Sequence, residues 1–148
     1  MTSWSLFLAP AWFLVAVALA AGRIVLIGAE PGAWRLEDVV GPLVVGWVIQ
    51  SMIGSWSHLI PSTGPGGPDA HAAQRVGLGR AATGRLAALN GGALLLTVGV
   101  LLALPPVATV GVVVCVGATV ASILVLVAAI AILPGGRIPR SFILERSG

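Results

Sequence analysis

Four long apolar runs constrain the fold of this chain more than any other feature. They extend from Leu6 to Ile27, from Val39 to Ile60, from Leu86 to Leu104 and from Val107 to Leu133. A helix needs about 20 residues to cross the hydrocarbon core of a bilayer, and each run reaches or nears that length. The runs do not alternate apolar and polar residues, as the strands of a membrane β-barrel do. The sequence therefore predicts an all-α integral membrane protein with a bundle of four transmembrane helices.

Composition supports the same class. Of 148 residues, 57% are hydrophobic and 9% are charged, and the mean hydropathy is +1.04. A soluble domain is typically about 45–50% apolar and about 25% charged, because polar groups must cover its surface. These values exclude an ordinary soluble domain, a disordered chain and a coiled coil, and they predict lipid as the surrounding medium.

The pair Pro105-Pro106 separates the last two apolar runs. Proline lacks a backbone N–H and disfavours helix in the residue before it. One uninterrupted helix over both runs would be about 72 Å long at about 1.5 Å per residue, more than twice the thickness of the hydrocarbon core. The sequence therefore predicts that helices 86–104 and 107–133 form a tight hairpin.

The whole chain, 1–148, is predicted to be one transmembrane domain with two polar segments. A Gly/Pro/Arg loop covers 61–85, and its first part, 61–68, is rich in turn residues and is predicted not to be helical. A short helix is predicted from Asp69 to Val76, with Pro68 at its first position. A short tail follows at 134–148.

The arginines predict the orientation. All basic residues are arginine, and six of the eight fall on one side of a four-span topology. Those six are Arg75, Arg80 and Arg85 in the loop and Arg137, Arg140 and Arg146 in the tail, against Arg23 and Arg35 on the other side. The positive-inside rule then places a multi-pass protein in the plasma membrane with both termini cytoplasmic, although the first helix alone favours the reverse. Arginines between apolar runs do not form a nucleic-acid-binding patch, so no nucleic-acid partner is expected.

Small and polar residues recur on the second helix. Gly46, Gln50, Gly54 and His58 are four residues apart, so they form one slowly drifting stripe along its surface. Two interpretations of the stripe are open. In the structural one, it is a contact face where helix backbones approach closely and Gln50 forms a hydrogen bond to a neighbouring helix. In the functional interpretation, the stripe is a row of polar groups that ends at His58, which would bind a metal or haem or relay a proton.

The last two helices also carry candidate packing residues. Asn90 and Thr97 are seven residues apart on one face of the third helix, and Gly117 and Ala121 form a small-xxx-small pair on the fourth. Small residues of this kind let transmembrane helices pack closely.

Two histidines are the candidate cofactor ligands. His58 lies at the end of the second helix and His71 in the polar loop, 13 residues further on. A loop that folds back would bring them together, with His58 the better metal ligand and haem or copper the candidate cofactor. Two histidines without nearby cysteines or carboxylates do not specify zinc. The chain carries none of the familiar catalytic motifs, so no catalytic residue is assigned.

One segment resembles a known family. The residues GWVIQSMIGSWSHLIP, from Gly46 to Pro61, precede a Gly/Pro-rich loop and an arginine-bearing stretch that reaches Leu86. This segment resembles the membrane regions of actinobacterial multicopper-oxidase and copper nitrite-reductase-like proteins, which carry a similar helix end before a basic loop. The chain has no cupredoxin domain with its copper-binding Cys/His/Met set. The resemblance implies a stand-alone membrane module or a fragment that works beside a redox or copper partner.

Three functions fit the sequence. The first is an accessory or anchoring membrane subunit that packs with other subunits or with itself, beside a redox partner. The second is a small homo-oligomeric transporter or channel. The third is a haem- or copper-binding electron carrier that uses His58. Because the charged residues lie outside the apolar interiors, catalysis by this chain alone is not expected.

Overall fold

The computed structural model describes residues 2–28, 30, 37–63 and 67–131, and within them every regular element is a helix. Its five helices are α1 (Thr2–Ile27), α2 (Glu37–Thr63), α3 (Pro68–Gly79), α4 (Ala82–Leu101) and α5 (Pro105–Ile130). Four of them, α1, α2, α4 and α5, are long and apolar enough to cross a membrane. The predictions of an all-α chain and of four helices of spanning length are confirmed.

The second helix is longer than predicted because it continues through Pro61 to Thr63. The prediction that residues from Pro61 onward are not helical is therefore wrong for the first three of them. Pro61 supplies no N–H for the carbonyl four residues before it, and the next two hydroxyls bond other carbonyls of the same turn. Ser62 Oγ donates to His58 O and Thr63 Oγ1 donates to Leu59 O, both at 3.0 Å.

Most of the predicted loop at 61–85 is helical as well. The short helix starts at Pro68, as expected for a proline at the first helical position, but extends to Gly79 rather than Val76. After two residues, α4 begins at Ala82, four residues before the predicted start. Ala81, with a φ of 52°, makes the turn between them. Residues 64–66 and the predicted tail at 134–148 lie outside the described residues.

The link between α4 and α5 has a defined geometry. Ala103 adopts a left-handed φ of 51°, and its N–H donates to Val100 O at 3.2 Å. The Leu104 N–H donates to Gly99 O at 2.7 Å, which completes a Schellman motif and ends α4 at Leu101, before the predicted Leu104. Pro105 then opens α5, two residues before the predicted Val107, because the first turn of a helix needs no N–H donors.

Close contacts between α4 and α5 depend on small residues. A Cβ on Gly92 would lie 2.6 Å from Cys115 Sγ, and one on Gly99 would lie 2.7 Å from Ala108 Cα. Gly111 lies against the backbone of Leu96, whose Cα would be 2.8 Å from an added Cβ. As the residue number rises on α4, its partner's number falls on α5, so the two helices run in opposite directions.

Helix α2 contacts each of the other four helices and so occupies the middle of the arrangement. Its first part is interrupted by a π-helical stretch, Gly41–Ile49, which follows one short turn, Glu37–Val40, and leads into Gln50–Thr63. The small buried apolar cluster of Ile60, Leu78 and Ala129 joins α2, α3 and α5 at one end.

Large apolar side chains face outward over much of the described surface. Val25 is 82% exposed and Leu26 is 83% exposed, and similar side chains cover the outer faces of α1 and α5. Soluble monomers rarely expose contiguous apolar patches of this extent. The surface is therefore of the kind that lipid covers.

Glycine contacts on α5 give a matched test of helix packing. We expect Gly111→Ala to lower the thermal stability of the purified protein, because its Cβ would meet the backbone of Leu96. Gly117→Ala on the same helix should leave stability unchanged or raise it by up to about 1 kcal/mol, since a Cβ there meets no atom within 4 Å and alanine favours helix. Thermal unfolding in a mild detergent measures both, and equal effects of the two substitutions would contradict the packing.

Candidate functional site

A cavity of about 880 Å³ lies at one end of the bundle. All five helices contribute to its wall. It lies beside the C-terminal part of α2 and the first turns of α4, and α3 closes one side. The lining residues are Leu8, Gln50, Ile53, Ser57, His58, Pro61, Ser62, Arg75, Leu78, Gly79, Ala82, Thr83, Arg85, Leu86, Ala87, Leu89, Asn90 and Ser122.

The cavity has a buried floor and an exposed rim. Gln50 is 1% exposed and Ser122 is 2% exposed, so polar groups line the floor. His58, Ser62 and Arg75 line the rim and are exposed. Buried polar groups are uncommon in a bundle of apolar helices, because each costs free energy unless it is hydrogen-bonded. The floor therefore places two buried polar side chains against the cavity.

Three helices meet beside the floor through Trp12. Its indole lies against Gly46 of α2, where an added Cβ would be 2.7 Å from the Trp12 Cβ. The indole Nε1 donates to Asn90 Oδ1 of α4 at 2.7 Å. The amide nitrogen of Asn90 donates in turn to Leu86 O at 2.8 Å. One side chain thus connects α1 to α2 by packing and to α4 by a hydrogen bond, and it fixes the Asn90 side chain at the cavity wall.

The guanidinium of Arg85 is held at the cavity by the end of α3. Its Nη1 donates to Arg80 O at 2.6 Å and its Nη2 donates to Leu78 O at 3.0 Å. The last carbonyls of a helix have no partner within the helix and carry a partial negative charge, so a cation is stabilising there. Arg85 therefore satisfies the end of α3 and faces the cavity from a fixed position.

An ion pair joins α1 and α2 at the other end of the bundle. Arg23 Nη2 lies 2.9 Å from Asp38 Oδ2, and Asp38 is 5% exposed. It is the one ion pair among the residues that the structure describes. A buried carboxylate needs such a partner, because removing a charge from water is costly.

The predicted stripe on α2 divides into a buried part and an exposed part. Gly46, Gln50 and Gly54 are buried, whereas His58 is exposed. Of the eight residues predicted to pack or to form the polar stripe, Gln50, His58 and Asn90 line the cavity. The structure thus brings together the two polar amides that the sequence placed on different helices.

The other predicted packing residues lie outside the cavity. Thr97 is buried beside Gly41 of α2 and donates from Oγ1 to Ala93 O at 2.7 Å. Gly117 is exposed, and a Cβ there would meet nothing within 4 Å, so it makes no close contact with the described helices. Ala121 is half-buried. On α5 the buried small residues are Gly111, Cys115, Ala118, Ser122 and Ala129.

The two predicted cofactor ligands do not both reach the cavity. His58 lines it, while His71 on α3 is absent from its described wall. Among the described residues no three His, Cys, Asp or Glu side chains gather where they could hold a metal ion. Ligation of haem or copper by His58 stays a prediction.

Sequence reasoning missed three residues of this region. The sequence places Arg75 and Arg85 in the polar Gly/Pro/Arg loop, yet both line the cavity. Gln74 was not singled out, but its side chain is fully buried and its amide atoms have no hydrogen-bond partner within the described chain. The sequence signal for a buried Gln74 is its distance of four residues from Leu78, which places both on one face of α3. That face packs on α2 and α5.

The Trp12 contact gives a direct test. We expect Trp12→Phe to lower stability by about 1–2 kcal/mol, because Asn90 loses its donor while most of the ring contact with Gly46 is retained. In the Asn90→Leu background the same substitution should have a much smaller effect. Thermal unfolding of the four proteins in a double-mutant cycle measures the coupling. Fully additive effects would contradict the hydrogen bond.

Comparisons with known proteins found no matching family model, no matching curated protein and no matching solved structure. The resemblance of residues 46–86 to copper-oxidase-like membrane regions gains no support from these comparisons and stays a prediction.

Proposed function

We propose that the chain is a four-span integral membrane protein that binds a small ligand in the cavity between its helices, and so belongs with ligand-binding or transporter proteins. The cavity itself is the observation that carries this proposal. Its volume of about 880 Å³ falls within the range of roughly 300–1,000 Å³ typical of small-molecule sites. Polar residues at the floor support it further, since polar groups within membrane spans often mark the path of a substrate or an ion.

Orientation follows from the arginines in this proposal. The cavity lies at the end that carries Arg75, Arg80 and Arg85, and the positive-inside rule favours the cytoplasmic side for that end. Both termini are then cytoplasmic, and α4 and α5 insert into the plasma membrane together as a hairpin. The cavity takes up its ligand from the cytoplasm or from the inner leaflet.

Transport of a ligand across the membrane would need an open path from the cavity to the opposite end of the bundle. Beyond the floor, Thr97 packs beside Gly41, and Arg23 pairs with Asp38 at the far end. These contacts hold α2 against α4 and α1 between the cavity and that end. Transport would therefore require a rearrangement of these helices or a second copy of the chain, as in the homo-oligomeric transporter that the sequence suggested.

The accessory-subunit function is the second candidate, and Gly117 favours it. This glycine is exposed on α5, one turn before Ala121, and no described residue covers it. Small residues on an outer helix face allow another transmembrane helix to approach closely. A membrane partner, redox-active or not, would pack there without blocking the cavity at the arginine-bearing end.

A tryptophan placed in the cavity tests the proposed ligand binding. Ser57 lines the cavity, so Ser57→Trp should fill it, whereas Leu59→Trp puts the same side chain on an exposed position of the same helix. We expect native mass spectrometry of protein purified from its own membranes to show a small-molecule mass increment on the wild type and on Leu59→Trp. Ser57→Trp should lose it.

Thermal unfolding of both variants is the control for correct folding. An equal increment on Ser57→Trp, or none on the wild type, would contradict ligand binding in the cavity. A co-purified protein without a small-molecule increment would favour the accessory subunit instead.

A further inference from the structure

We propose that the cavity binds a phosphate-type oxyanion that carries an apolar group, with the oxyanion beside Arg75 and Arg85 and the apolar group against the walls from α1, α2 and α4. This inference rests on the proposed ligand-binding function and names the class of ligand. Its elements are the charge of the lining, the fixed position of one guanidinium, and the size and polarity of the remaining wall.

The lining carries positive charge that no lining carboxylate balances. Arg75 and Arg85 face the cavity, and the residues known to line it include no aspartate or glutamate. Asp38 is engaged by Arg23 at the opposite end of the bundle. Asp69 lies in the first turn of α3 and does not contribute to the described wall. A cavity of this charge attracts anions and repels cations.

Arg75 and Arg85 differ in exposure and in how firmly their side chains are held. Arg85 is half-buried, and two of its N–H groups are engaged by Arg80 O and Leu78 O. Because a guanidinium has five N–H donors, three remain for a ligand, in a fork that is already oriented. Arg75 is exposed at the rim and has no hydrogen bond or ion pair to any described residue. The pair thus offers one fixed and one adaptable donor group, which suits the several oxygens of a phosphate.

The rest of the cavity is too large and too apolar for a bare anion. A single water needs about 10–15 Å³ of such space, so about 880 Å³ far exceeds what one phosphate fills. Leu8, Ile53 and Leu86 supply apolar wall from three helices. Hydrocarbon attached to the oxyanion would cover this wall and remove it from water. A lipid with a phosphate headgroup has this chemistry.

Calorimetric titration of the purified chain in a neutral maltoside detergent tests the inference. The probes are dioctanoyl phosphatidic acid, dioctanoylglycerol, which has the same tails without the phosphate, and inorganic phosphate. The variants are Arg75→Gln and Arg80→Gln, which remove the same charge from the same segment. Only Arg75 lines the cavity, and both side chains are exposed, so neither change disturbs buried packing.

We expect saturable binding of the phosphatidic acid and none of the diacylglycerol. Arg75→Gln should weaken binding about tenfold, equivalent to about 1.4 kcal/mol, and Arg80→Gln by less than about twofold. Inorganic phosphate should compete only at concentrations at least about tenfold higher. Equal losses for the two arginine variants would show general attraction to basic charge and overturn the site.

Two further outcomes would also overturn the inference. Inorganic phosphate that competes as well as the lipid would make a free oxyanion the ligand and refute the apolar group. Absence of phosphatidic acid binding would refute the ligand class. If Ser57→Trp still abolishes a small-molecule increment in that case, the ligand-binding function stands and only its phosphate assignment fails.

Discussion

The contact of Trp12 with Gly46 and Asn90 is the interaction on which the rest of the bundle depends. Lipid is as apolar as the side chains of α1, α2 and α4, so helices in a bilayer gain little from apolar burial alone. Close approach at a glycine and a hydrogen bond away from water are what remain to hold them. Trp12 provides both, since its ring lies on Gly46 and its Nε1 donates to Asn90. The tilted ring contact of Phe13 with Trp47, at 4.8 Å between centroids, extends the same interface.

The position of this contact explains why the bundle is open at one end. Glycines close the α4–α5 interface along its length, and the Arg23–Asp38 ion pair closes the far end of α1 and α2. Beyond Trp12 and Asn90 in the other direction, the helices are separated by the cavity, and α3 covers one side of it. Arg85 joins α3 to the start of α4 through the carbonyls of Leu78 and Arg80. The wall thus combines hydrogen bonds of polar groups with the small apolar cluster of Ile60, Leu78 and Ala129.

Much of the fold could be predicted because a long apolar segment in a bilayer must satisfy its own backbone hydrogen bonds, and the helix does so. The positions of the four helices follow from run length alone. Local geometry set the boundaries that were missed. Helix α2 continues past Pro61 to Thr63, and a left-handed Ala103 ends α4 early. Hydropathy shows neither boundary.

The candidate site was predictable in part. Spacing by four on α2 identified Gln50 and His58, and Asn90 stood out as a polar residue near the start of a span. The arginines of the cavity could not be found this way, because their place depends on how α3 folds back on α2 and α5. The choice between Gly111 and Gly117 as the packing glycine of α5 likewise depends on the rotation of that helix against α4.

The central claim is that a membrane-embedded cavity opens toward the cytoplasm, and thiol labelling of Ser57→Cys tests it most directly. Cys115 is the single native cysteine and is buried, so the substitution is made in a Cys115→Ala background. We expect a membrane-impermeant maleimide to label it in inside-out vesicles and not in right-side-out vesicles. Leu102→Cys, in the exposed α4–α5 link, should show the opposite pattern. Labelling of Ser57→Cys from the outer face, or equal labelling in both preparations, would contradict the claim.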